Sequence, residues 1–508
     1  MALQQVTTDT GAVRGYPGRN QKVSVFKGIP FARAERWRRP VPGPRWEGDL
    51  DASHFTTVCP QRVFQPEGGT ELAAAEFYAV DYPQGEDCLV ANVWTPAVAP
   101  DEGLPVAVYI HGGAFETGYG WLNAYDGEGF GRRGVILVTL NYRLNVFGFL
   151  ALPELAAEDA DGAVGTYGLL DQLAGLDWVR RNIAAFGGDP RRVTVFGQSA
   201  GGMSVADLLN SPLSRGLIHG AIMQSGGGLQ RDTSGTPLEP EAAFATGRAF
   251  LAASGLASLA DARALPAEAL ADRYAAFAAT HRMPFQPTVD GFVLPAPPAE
   301  FFGAGRHDDI PVIVGSAQDE MRDLAAPPPG AGQVDRFAGR LGVPADAFRA
   351  ALAAAGGARA SDFSDPIGDD FCAANLAWCA NQLRLGRRPA WLYHFTHVPP
   401  GAAMAHHSVE HHYVFETLNG SARPYTGADY DLALDLAAYW TNFVKHGDPN
   451  GPKFPHGSTE QVPRWTPFTR EAPRALLIQP GPRMGPVPLT VPRQFLRDHI
   501  LAGLPVRG

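Results

Sequence analysis

A chain of 508 residues with 45% apolar and 19% charged residues has the apolar content for a large core, which argues against a disordered chain. Its formal net charge of −10, without a basic run, argues against nucleic acid and anionic membranes as partners. No apolar stretch reaches the about 18 residues of a membrane-spanning helix, and four cysteines are too few for a disulfide scaffold.

The N-terminal stretch "MALQQVTTDTGAVRGY" has neither a basic head nor an apolar run. No secretory leader is visible, so a cytoplasmic protein is expected, with a secreted mature form as the alternative. "GAVRGY" and "VSVFKGIPFA" read as β-hairpins punctuated by Gly and Pro. "EDCLVANVWTP", "LPVAVYIHGGAF" and "GVILVTLNYRL" read as strands, the second nearly continuous in its apolar run, as in a buried parallel sheet. "LLDQLAGLDWVRRNIAAFGG" places Leu169, Leu170, Leu173, Leu176, Trp178, Val179 and Ile183 at helical spacing. The strand "RVTVF", the helix "SAGGMSVADLLNSP" and the strand "GAIMQSG" follow. This β-α-β alternation predicts an α/β fold with a large, mostly parallel sheet covered on both faces.

From Glu239 to Arg282 the chain is Ala-rich and helical, which predicts an inserted helical cap. "DIPVIVGSAQDE" and "PAWLYHFTHV" resume the sheet, and "YDLALDLAAYWTNFVKHG" predicts a late helix ending at Gly447. No repeat or linker divides the chain, so residues 1–508 are read as one domain with cap and lid insertions near 65–85 and 230–300. Cys372 and Cys379 fall on one helical stretch and read as buried thiols; Cys59 and Cys88 read either as a bridge or as reduced thiols, according to compartment.

The chemistry gathers at "VTVFGQSAGG". Gly197-Gln198-Ser199-Ala200-Gly201 fits the G-x-S-x-G turn, with a strand before it and a helix after it. Glycines are needed because the sharp strand-to-helix turn brings other backbone against positions that side chains would block. A serine hydroxyl alone is a poor nucleophile and needs a base and an oxyanion trap. "HGGAF", His111–Phe115, ends a strand and offers unobstructed backbone N–H groups. His406, His407, His411 and His412 crowd one short segment. His407 and His411 have an i, i+4 spacing, but no H-E-x-x-H and no third ligand accompany them, so no metal and no organic cofactor are expected.

"FKGIPFA", "EDCLVANVWTP", "HGGAF", "NYRLNVFGFL", "GTYGLLDQ", "NIAAFGGDPRRVTVFGQSAGG", "MQSG", "VDGFVLP", "WTNFVKHGDPN" and "PRWTPF", in this order, resemble the type-B carboxylesterase and cholinesterase family of α/β-hydrolases over nearly the whole chain. The resemblance implies an α/β-hydrolase fold and a serine esterase acting through an acyl-enzyme. It assigns Ser199 as nucleophile and Gly113, Ala114 and Ala200 as oxyanion donors, with Gly112 forming the turn. "VGSAQDEMRDL" points to Glu320 as triad acid, with Asp319 and Asp323 as fallbacks. "HHSVEHHYVFETL" aligns His407 as base, with His406 its nearest competitor and Glu410 a supporting acid. Gln198, Ser225, Phe115 and His412 are carried as pocket or supporting residues, and Trp121, Phe149 and Phe285 as further candidates for an aromatic wall, with core packing the expected role of each such ring taken singly.

Gln198 stands where cholinesterases have Glu, and Phe77, Tyr78 and Tyr82 supply no convincing choline-facing Trp. Neutral small-molecule esters are therefore expected over choline esters, from a monomer or homodimer. The alternatives are a non-catalytic binding module of the same fold and a hydrolase of carbamates, amides or bulky metabolite esters.

Overall fold

The computed structural model describes residues 2–62, 82–231, 236–322, 332–454, 459–471 and 473–505. Most of the expected lid near 65–85, with Phe77 and Tyr78, and the fallback acid Asp323 lie outside these residues.

The framework is an eleven-stranded sheet. In chain order its strands are β1 (Tyr16–Pro17), β2 (Ser24–Pro30), β3 (Val90–Thr95), β4 (Leu104–Ile110), β5 (Ile136–Leu140), β6 (Gly188–Gln198), β7 (Gly220–Gln224), β8 (Val312–Ala317), β9 (Ala390–Phe395), β10 (Arg474–Ile478) and β11 (Arg483–Pro486). Across the sheet they lie in the order β11-β10-β9-β8-β7-β6-β4-β5-β3-β2-β1. The central run from β10 to β5 is parallel, while β3, β2 and β1 at one side and β11 at the other are antiparallel. The parallel centre coincides with the continuous apolar runs. β5, β7, β8 and β9 are buried at every position, as strands covered on both faces require. β3 is equally buried yet antiparallel.

The helices that fix the site are α1 (Tyr167–Asn182), α2 (Ala200–Asn210), α3 (Pro240–Ala253), α4 (Leu259–Ala264), α5 (Ala267–Ala278), α6 (Pro366–Arg384) and α7 (Gly427–His446). α1 runs into a 3₁₀ turn and stops at Gly187, whose φ of 87° suits glycine. α7 opens with a capping box, Thr426 with Asp429, and ends as expected at Gly447 in the left-handed region. α3, α4 and α5 account for the Ala-rich stretch. Cys372 and Cys379 are both buried on α6, and Cys59 and Cys88 are free buried thiols. Among the described residues no helix is long and apolar enough to cross a membrane.

Two apolar cores sandwich the sheet. One side packs Trp178, Phe186 and Trp378, and the other packs Trp440, Trp465 and Tyr439. The loops leaving the carboxyl ends of β4, β6, β8 and β9 carry, in turn, the Gly-Gly turn, Ser199, Glu320 and His407. This edge of a parallel α/β sheet is where ligand crevices form.

Candidate active site

β6 ends at Gln198 and α2 begins at Ala200, leaving Ser199 alone in the turn with φ 57° and ψ −128°. A left-handed φ is strained for serine and persists only where the surroundings enforce it. Here the Ser199 N–H donates to the Gln224 carbonyl at 2.8 Å, and its own carbonyl accepts from Met203 N–H at 2.9 Å. A side chain on Gly201 would collide with the Ile110 carbonyl, so β4 and the start of α2 meet backbone to backbone.

The Gly112-Gly113 turn presses on the same point. A Cβ at Gly112 would lie 2.5 Å from the Gln198 carbonyl oxygen and 3.1 Å from Ser199 Cβ. Gly113 and Ala114 have φ of 110° and 60°. The N–H groups of Gly113, Ala114 and Ala200 have no acceptor among the described residues. Ala200 is the first residue of α2, where no intrahelical partner exists. Three unclaimed donors beside a hydroxyl can hold an oxygen anion.

Glu320 follows β8 and is fully buried as a side chain. Its Oε1 accepts from Ser225 Oγ at 2.6 Å and from Ala317 N–H at 2.8 Å, and its Oε2 accepts a hydrogen bond from His407 Nδ1–H. The His407 backbone N–H also donates to the Glu320 carbonyl at 2.9 Å, which fixes the two loops together. Burial by itself would lower the His407 pKa; the Glu320 charge and hydrogen bond, with Glu410 and Asp365 further off, raise it overall. With Nδ1–H committed to Glu320, Nε2 is the free acceptor. Gln198 Nε2 stands 3.2 Å from it, and Gln198 Oε1 accepts from Ser408 Oγ at 3.0 Å. No hydrogen bond joins Ser199 Oγ to His407, although both face one cavity of about 510 Å³.

Two further carboxyls stand behind the pair. Glu410 Oε1 accepts from Gln224 Nε2 at 3.2 Å and Tyr393 OH at 3.1 Å, and burial together with the Glu320 charge raises its pKa. Asp365 caps α6 through Gly368 N–H at 3.0 Å; burial, opposed by that bond and reinforced by Glu320, pushes its pKa up to about 6.

The other sequence candidates fall elsewhere. His406 points its Nε2 at Arg423 and is not on the cavity wall. Asp319 is engaged by Arg322 and by Ala405 N–H, away from His407. His407 sits in the turn before the short helix His411–Val414, so the i, i+4 spacing does not place His407 and His411 on one helix; His411 Nε2 meets Tyr109 OH at 3.0 Å. His412 does not line the cavity: its Nδ1 is held by the Thr417 hydroxyl at 2.9 Å. Phe115 is fully buried against Phe149, with ring centroids 5.2 Å apart. Trp121 stacks on Phe55 beside Tyr82, and Phe285 packs on Phe250. Phe115, Trp121, Phe149 and Phe285 are each at most 5% exposed and none lines this cavity, so burial in the core rather than the wall is their role.

The wall is built instead by Glu116, Met203, Thr280–Met283, Met321, Ile367 and Phe371. Only Ile367 and Phe371 had a sequence signal, their i, i+4 spacing on α6. The Phe371 ring lies 6.1 Å from that of His407.

The Carboxylesterase family model matches residues 2–333 and 349–494. The chain belongs to the carboxylesterase family. A fumonisin B1 esterase from Sphingopyxis macrogoltabida is 36% identical over 465 residues, covering 87% of this chain and 82% of that protein. A para-nitrobenzyl esterase from Bacillus subtilis is 35% identical over 505 residues, covering 94% of this chain and 95% of the relative. Among solved structures, a PNB esterase superposes with a TM-score of 0.79 at 32% identity, covering 97% and 99% of the two chains. A Geobacillus stearothermophilus carboxylesterase gives 0.78 at 31% identity, with 96% and 98% covered. This carboxylesterase therefore has the α/β-hydrolase fold and is a carboxylic ester hydrolase.

Proposed function

We propose that this carboxylesterase cleaves neutral carboxylic esters through an acyl-enzyme on Ser199, with His407 as base and Glu320 as the acid that orients it. His407 Nε2 exchanges its Gln198 partner for the Ser199 hydroxyl and takes its proton as Oγ attacks the carbonyl carbon. The Gly113, Ala114 and Ala200 N–H groups receive the developing oxyanion. His407 then protonates the departing alkoxide, and a water deprotonated by the same imidazole releases the acid. Glu320 keeps Nδ1 protonated and stabilises the imidazolium without itself taking the proton. Gln198 brings no charge to the acyl centre, which favours an uncharged ester over a choline ester. The helices α3–α5 act as a cap over the cavity.

One observation carries this reading: Ser199 in strained backbone and His407, which is paired with Glu320 from a third strand-end loop, line one cavity beside three unclaimed N–H donors. The test is hydrolysis of 4-nitrophenyl acetate by wild type and Ser199→Ala. Turnover by wild type and a loss of about 10⁴-fold or more in the variant are expected. Equal rates would refute the assignment.

A further inference from the structure

The cavity has two unlike kinds of lining. Met203, Met321, Ile367 and Phe371 make part of it apolar. The segment that follows α5 lines the same cavity, and there Arg282 is the one arginine or lysine among the described lining residues. Arg282 is exposed and makes no hydrogen bond or salt bridge among the described residues. The nearby Glu116 does not claim it by contact: its carboxyl accepts from Tyr274 OH at 2.6 Å, and burial raises its pKa against the pull of that bond and of Arg282. Arg282 thus brings to the cavity lining a guanidinium with no hydrogen-bond or salt-bridge partner among the described residues, a planar fork of donors that pairs with a carboxylate through two parallel bonds.

We propose that Arg282 recognises a carboxylate on the substrate itself, so that beside neutral esters the site takes, and prefers, half-esters of dicarboxylic acids. The ester group lies at Ser199, the methylene chain runs along the apolar wall, and the free carboxylate meets Arg282 at the rim. This rests on the esterase reading above. The chain's net charge of −10 repels an anion at a distance, but that field is screened beyond about 8 Å at physiological salt, inside which a contact pair still acts. Recognition is therefore local.

The test compares kcat/KM for mono-4-nitrophenyl adipate with that for 4-nitrophenyl hexanoate, which has the same acyl length and no charge. Wild type is expected to favour the adipate half-ester. Arg282→Gln should lower the adipate-to-hexanoate ratio by about tenfold, the scale of one charge-assisted contact, and Arg282→Lys should restore part of it. Raising salt should lower the wild-type ratio, which tests the same contact without a variant. A ratio unmoved by Arg282→Gln and by salt overturns the inference while the esterase reading stands. A wild type that turns over neither ester overturns both.

Discussion

The two halves of the site are made of different material. The proposed nucleophile and oxyanion half is backbone: Ser199 in a strained turn, a Gly-Gly turn pressed against it, and donors that are all main-chain N–H groups. The proposed acid–base half is side chain: Glu320 from one strand-end loop, His407 from another, with Ser225, Asp365 and Glu410 packed behind. The first half fails through geometry and the second through charge. The backbone half should therefore be nearly indifferent to pH and intolerant of added bulk, and the side-chain half the reverse.

The largest break is expected on the backbone side. Gly201→Val drives a branched side chain into the Ile110 carbonyl and displaces the Ala200 N–H. Losing one oxyanion donor costs about 10²–10³-fold in kcat, and the loss should be the same at every pH where wild type is active, as steady-state rates across pH will show.

The side-chain half should give the opposite signature. His407 must be neutral to accept the Ser199 proton, and its pKa is raised by Glu320 against the lowering by burial. Activity is therefore lost as pH falls through a value above the ordinary histidine figure of about 6.5. In Glu320→Gln the raising partner is gone and burial remains, so the acid limb of kcat/KM should move to lower pH while kcat falls. A limb that stays in place would separate Glu320 from the base.

The smallest effect sharpens the boundary between the halves. α2, which begins directly after Ser199, also holds Asp207, which is 1% exposed and has Oδ2 unpartnered among the described residues. Burial raises its pKa. The folded state thus keeps a proton that the unfolded chain releases, so Asp207 favours folding at low pH and costs stability as pH rises through its folded value. Asp207→Asn should raise Tm more at pH about 8 than at about 5, without moving the acid limb of kcat/KM.

The same contrast explains what was legible in the chain. A backbone turn leaves a contiguous record, because each residue must be small or must tolerate its φ. "GQSAGG" and "HGGAF" could therefore be read directly. The parallel centre of the sheet was legible for a similar reason: strands buried on both faces need unbroken apolar runs. Partnerships between side chains leave no such record. Glu320 rather than Asp319, and His407 rather than His406, depended on resemblance, and which member of each pair faces the other is decided by loop packing over long sequence separations. The cavity wall was least legible. Met203 comes from α2, and Met321 and Arg282 from separate loops, while the aromatic residues nominated for it, Trp121 and Phe285, gain more from burial in the core.

The central claim is that one hydroxyl is made nucleophilic by this convergence. Stoichiometric treatment with a fluorophosphonate, followed by peptide mass mapping, tests it without a choice of ester. The account predicts one phosphonyl group per chain, on Ser199, with activity lost in proportion. A label on another residue, or an active enzyme left unlabelled, would contradict it.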